Sequence, residues 1–127
     1  MTASVIPAPS RIVCSFYGGH IVAVESAAAA MDVLSNGPFV PDVVVSDVGM
    51  PAVDGYGLIR QIRASPVPHV RHVPSIAVTA HANPDDRIRS LVAGFQAHLP
   101  KPVDASVLAM SIRTLATRAS HTAPVRK

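Results

Sequence analysis

The sequence is poor in the residues that staple, stack or charge a protein. Its 127 residues include one cysteine, Cys14. A single thiol excludes an internal disulfide and a cysteine-cluster zinc site, and it fits a reducing compartment. Tryptophan is absent and aromatics are 4%, so the core has to be aliphatic. Charged residues are 15%, below the roughly 25% of ordinary domains, while hydrophobic residues reach 49%. That balance excludes a disordered tail. No apolar run approaches the roughly 18 residues of a membrane span. The N-terminal residues lack a basic stretch followed by an apolar one, so no signal peptide is read. These absences leave a soluble, cytoplasmic chain of one domain as the expectation.

The formal net charge is +3. The arginines are dispersed: Arg60, Arg63, Arg71, Arg87, Arg89, Arg113 and Arg118 recur along expected helices. Nucleic-acid binding calls for a clustered stripe or a reading motif, and neither is present. Solvated helix faces explain the arginines better.

What the chain does contain is a regular succession of short aliphatic runs and amphipathic stretches. Residues 1–10 carry two prolines and no periodicity, and read as a loose leader. Arg11–Phe16 and His20–Glu25 are strand candidates separated by the Gly18-Gly19 turn signal, which predicts an antiparallel hairpin. Ser26 is a fair N-cap for a helix over Ala27–Leu34, ended by Gly37 and Pro38. Asp42–Ser46 is a valine-rich strand of the kind buried on both faces. Asp54 precedes a helix Gly55–Ala64 whose apolar face is Leu58, Ile59 and Ile62, with Arg60 and Arg63 on the other side. Ser65–Pro74, with three prolines, reads as a long loop, and Ser75–Val78 as a strand. Asn83 caps a helix with Pro84 at its first position and Asp85 and Asp86 in its first turn, as the helix dipole favours. Ile88, Leu91 and Val92 form its apolar stripe, and Gly94 ends it. Phe95–Leu99 is a last strand. Asp104 caps a final helix with Val107, Leu108, Ser111, Ile112 and Leu115 facing inward. The domain is expected over 11–118, with 119–127 a frayed tail.

From about residue 20, strands and helices alternate, the pattern of a parallel sheet with crossover helices. Asp47, Thr79 and Lys101 each fall just past a strand. Ligands of open α/β sheets bind at the carboxyl ends of strands, so the fold would gather the three at one edge. An isolated Asp47 would read as a turn-initiating side chain. A carboxylate, a hydroxyl and an ammonium together suit phosphoryl transfer. Asp47 could be the nucleophile that forms an acyl phosphate. Lys101 and Thr79 would stabilise the phosphoryl oxygens.

Three ordered motifs carry a family likeness: Ser-Asp-Val-Gly-Met-Pro-x-x-Asp-Gly-Tyr from Ser46, Ala-Val-Thr-Ala-His-Ala from Ala77, and Gly-Phe-Gln-Ala-His-Leu-Pro-Lys-Pro-Val from Gly94. Residues 20–118 resemble the response-regulator receiver domain of two-component signalling, in wording closest to receivers attached to hybrid sensor histidine kinases. The resemblance implies a flavodoxin-like, mostly parallel open sheet with flanking helices. It implies that Asp47 is the phospho-acceptor, Thr79 the switch hydroxyl and Lys101 the phosphate-sensing lysine. Pro102 matches a proline whose preceding bond is often cis, and the Gly49 carbonyl a Mg²⁺ ligand beside Asp47. His98 falls where the family has an aromatic switch residue. The implied partner is a histidine kinase or phosphotransfer domain.

The likeness breaks at the N-terminus. Receivers begin with a strand ending in a pair of Mg²⁺-binding acids, then a helix. This chain has no Asp or Glu before Glu25 and no room for that helix. The first strand and helix are missing or replaced, so the domain is N-terminally truncated or degenerate, and Mg²⁺ binding is expected to be weak or lost. Arg11–Phe16 could fill the vacant central slot antiparallel. The lost helix is expected to uncover one face of the sheet.

Other candidates read as structural. His69 and His72 lie in the expected loop without a third ligand. His81 receives no catalytic role. Asp85, Asp86 and Asp54 read as helix-start residues, and Cys14 has no activating neighbour in sequence. Met31, Met50 and Met110 read as packing residues. Two functions follow: a phospho-accepting receiver, which is a signalling module and not a turnover enzyme, or a non-phosphorylated receiver acting as an interaction module or hybrid-kinase fragment.

Overall fold

A computed structural model describes residues 12–15, 20–37, 41–48, 55–80 and 83–122. Gly18-Gly19, Gly49, Met50, Asp54 and His81 lie outside the described residues, as do residues 1–11 and 123–127. The elements in chain order are β1 (Ile12–Ser15), β2 (Ile21–Val24), α1 (Ala27–Asn36), β3 (Val43–Asp47), α2 (Gly55–Arg63), α3 (Pro68–Arg71), β4 (Ser75–Thr79), α4 (Pro84–Ala93), β5 (Ala97–Pro100) and α5 (Ala105–Thr122).

The strands form one sheet in the order β2-β1-β3-β4-β5. β3, β4 and β5 are parallel neighbours. β1 is antiparallel to both β2 and β3, with Val13 opposite Ala23 on one side and Val45 on the other. The expected hairpin therefore forms, and its first strand takes the central slot in reverse. This is an open, mostly parallel sheet with flanking helices.

Side chains alternate across the sheet with the period of two that strands impose. On one face Ile12, Cys14, Val44 and Ala77 pack with Ala30 and Leu34 of α1, Leu58, Ile59 and Ile62 of α2, Val70 and Phe95. On the other, Val13, Val43, Val45, Ile76 and Val78 meet Leu108 of α5, with Ile112, Leu115 and Ala116 packed against them. Each fully buried Val, Leu or Ile stabilises the fold by roughly 1.5–3 kcal/mol relative to exposure, and β3 supplies three consecutive valines to the two layers.

The helix ends follow local chemistry. Ser26 accepts a hydrogen bond from the Ala29 amide at 3.0 Å, and Asn83 accepts one from the Asp86 amide at 2.9 Å. Asp104 Oδ1 accepts from the Ser106 amide at 2.7 Å. Gly94 closes α4 at φ 126°, a conformation that side chains with a Cβ rarely adopt.

Several expectations need correction. The stretch 65–74 is not wholly loop, because Pro68 at the first position starts the single-turn α3. Both His69 and His72 are exposed. Ile88, Leu91 and Val92 do not face the core: they are 59%, 45% and 81% exposed. The inward face of α4 instead carries Ser90, whose Oγ shares a 3.2 Å hydrogen bond with the Tyr56 hydroxyl. In α5, Leu108 is buried but Val107 is exposed, and Met110 is exposed too, whereas Met31 packs on the core as expected. The helix runs through Thr122, past the boundary expected at 118. The second sheet face is not left bare at β1, where Val13 is buried, although Ala23 beside it is exposed.

Arg63 is the largest departure. It does not lie on a solvated face. Its guanidinium donates to the carbonyls of Gly94 (3.0 and 2.8 Å), Arg71 (2.7 Å) and Val73 (2.8 Å) and to Gln96 Oε1 (2.9 Å). Burial lowers its pKa. One arginine thus ties the end of α2 to α3, to the approach to β4 and to the end of α4.

Candidate functional site

Asp47 is the last residue of β3, Thr79 the last of β4, and Lys101 follows β5 directly. Parallel pairing sets Asp47 opposite Val78 and Thr79 opposite Pro100. Two backbone bonds extend the ladder past the strand ends: the Val48 amide donates to the Val78 carbonyl at 2.9 Å, and the Lys101 amide to the Thr79 carbonyl at 2.8 Å. Three consecutive parallel strands thus bring the carboxylate, hydroxyl and ammonium to one edge.

There Lys101 Nζ lies 2.7 Å from Asp47 Oδ2. The lysine side chain is 33% exposed and the aspartate 16%, so the pair sits at a shallow, partly wet edge. Asp47 Oδ1 is buried and has no hydrogen-bond partner, which leaves an acceptor lone pair available on the carboxylate. Thr79 is buried beneath the edge. The Lys101–Pro102 bond is cis.

His98 lies one step down β5, paired with Ala77, which in turn pairs with Ser46. By alternation Ser46, Ala77, Thr79 and His98 share the face covered by α2 and α4. His98 Nε2 and Ser46 Oγ are both buried without hydrogen-bond partners. The His98 pKa is lowered by burial first and by the nearby Arg87 second, against an opposing pull from Asp86. Ser46 was not singled out from sequence, and the available signal was a hydroxyl closing a run of valines. Arg63 was missed as well, because a helical arginine gives no sign of which carbonyls it will meet.

With this geometry in view, comparison with known proteins identifies the class. The response regulator receiver domain family matches residues 11–113, and the chain belongs to that family. The chain is 38% identical over 87 residues to an "Uncharacterized 14.6 kDa protein in sodA1 3'region" of Leptolyngbya boryana, covering 68% of this chain and 63% of that protein. It is 35% identical over 74 residues to Histidine kinase 1 of Arabidopsis thaliana, covering 58% of this chain and 6% of the kinase. Among solved structures it is similar to the signal receiver domain of a signal transduction histidine kinase from Syntrophus aciditrophicus, at 35% identity and TM-score 0.60, covering 74% of this chain and 68% of that one. The match therefore spans less than two thirds of these two curated relatives. No helix among the described residues is long and apolar enough to cross a membrane.

Receivers use Mg²⁺ in phosphorylation. Among the described residues, no three His, Cys, Asp or Glu side chains converge to hold a metal. Asp47 supplies a carboxylate, and Lys101 already holds its Oδ2. β1 runs in reverse, so its C-terminal Ser15 is paired with Val43 at the far edge, and its described residue nearest the site is the apolar Ile12, opposite Ser46. The described donor set does not fit a hard cation that wants several oxygens in octahedral array. Gly49, the other expected ligand, lies outside the described residues.

Proposed function

We propose that this chain is the receiver module of a two-component phosphorelay and that Asp47 accepts a phosphoryl group from a phosphohistidine of a cytoplasmic histidine kinase or phosphotransfer domain. The observation that carries the reading is the 2.7 Å Asp47–Lys101 pair at the strand-end edge, with Thr79 at the end of the strand between. An Asp47 carboxylate oxygen attacks phosphorus, and the phosphorus–nitrogen bond of the donor breaks. The freed imidazole nitrogen takes a proton from water, and the product is an acyl phosphate. Lys101 moves from the carboxylate to the incoming phosphoryl oxygens, and the Thr79 hydroxyl hydrogen-bonds one of them. Thr79 and His98 act as the switch pair. Mg²⁺ assistance is weak or lost, and the module signals without turnover.

Incubation with acetyl phosphate, with and without Mg²⁺, followed by mass spectrometry, tests this. Phosphate on Asp47, absent in Asp47→Asn, supports it. No label under conditions that label an intact receiver in parallel defeats it. One observation favours a second reading: the reversed β1 brings no acid to the site. In that case the chain is a non-phosphorylated interaction module.

A further inference from the structure

We propose that His98 is a proton-operated latch: the neutral ring rests against the sheet beside Ala77, and the protonated ring moves out toward the first turn of α4. The inference rests on the reading of Thr79 and His98 as the switch pair and adds a second input to it. The geometry carries the argument. His98 Nε2 is shielded from solvent and has no hydrogen-bond partner. A neutral imidazole tolerates one unpaired acceptor nitrogen, but an imidazolium there would bury an uncompensated N–H donor and a charge. The same face offers no counter-ion from the sheet, since the neighbouring positions are Ala77, Thr79 and Ser46. The charged groups felt at His98 are Asp86 and Arg87, both on α4. Arg87 opposes protonation in place, while the Asp86 carboxylate favours a cationic ring. Lys101 is drawn to Asp47. Protonation therefore disfavours the inward position and favours one nearer Asp86. An aromatic hydrocarbon or phenol ring at this position would not respond to pH in this range.

NMR titration of the histidine rings and backbone amides between pH 5 and 8, in protein without phosphate donor, tests the latch. The His98 ring should titrate below the 6.5 of a free imidazole, and amides of α4 and β5 should shift with the same midpoint. His98→Phe and His98→Gln should both lose that amide response. A His98 midpoint at or above 6.5, or α4 and β5 shifts that persist in both variants, overturns the proposal. If either variant unfolds, comparison of ring and amide midpoints in the unsubstituted protein still decides: unequal midpoints refute the latch. A pH response that survives while acetyl phosphate leaves Asp47 unlabelled upholds the latch and removes only the acceptor reading.

Discussion

Replacing Arg63 with methionine should cost about 3 kcal/mol of stability. The side chain makes five hydrogen bonds of 3.0 Å or shorter. They are not equally irreplaceable. Without the guanidinium, the Val73 carbonyl still accepts from Ser75 Oγ at 3.1 Å, and Gln96 Oε1 still accepts from the Ser75 amide at 2.7 Å. The carbonyls of Gly94 and Arg71 are the ones that lose their guanidinium donor outright. Hydrogen bonds to charged groups are worth about 1.5–3 kcal/mol each. Two such losses give about 3–6 kcal/mol, and release of the desolvated cation and its replacement by an apolar chain of similar length bring the sum to the low end. Against a total of about 5–15 kcal/mol, this is a large fraction, equivalent to about 12 °C at about 4 °C per kcal/mol for a chain this long. Urea unfolding followed by far-ultraviolet circular dichroism measures it, with an unchanged m-value expected. Arg63→Lys should recover less than half, because one ammonium cannot span three segments. A loss below about 0.5 kcal/mol in Arg63→Met, the range of an ordinary surface substitution, would refute the role given to this side chain.

The other expectations are simpler. Gly94→Ala should destabilise by about 1–2 kcal/mol in a thermal melt, since φ is 126° and an added Cβ would meet Arg63 Cγ at 2.9 Å. Cys14 is buried with its thiol pushed up to about 11, so it should be silent to a disulfide reagent at pH 8 in native buffer and react fully in denaturant; a fast native reaction would contradict its placement. Burial raises the Asp42 pKa above 3.8. The unfolded chain therefore loses that proton first, and the group lowers stability as pH rises from below 3.8 through the folded value. Asp42→Asn should remove that slope and be at least as stable as the parent at pH 7 in urea titrations.

The strand-end placement of the candidate residues was more legible in the sequence than the direction of the helix faces. Asp47, Thr79 and Lys101 were readable because a run of aliphatic residues ending in a polar one marks a strand end, and parallel topology collects strand ends. The β1–β2 hairpin was readable because too few residues separate Ile12–Ser15 from Ile21–Val24 for a crossover helix. Ile88, Leu91 and Val92 misled because helical spacing reports that a stripe exists, not that it points inward. Here the Tyr56–Ser90 bond and Arg89, stacked 4.3 Å over the Tyr56 ring, accompany a different face turned to the sheet. Arg63 was opaque because its partners are backbone carbonyls from three segments, and only the assembled chain sets their positions.

The reversed central strand also bears on how the chain folds. A parallel strand in that slot would need a crossover before any pairing with β2, whereas a hairpin closes locally, on the order of microseconds. β1 and β2 can therefore pair early and present the free edge of β1 to β3, onto which β4 and then β5 are added in chain order. Moving central pairing to short range lowers the contact order of the sheet, which should favour faster folding.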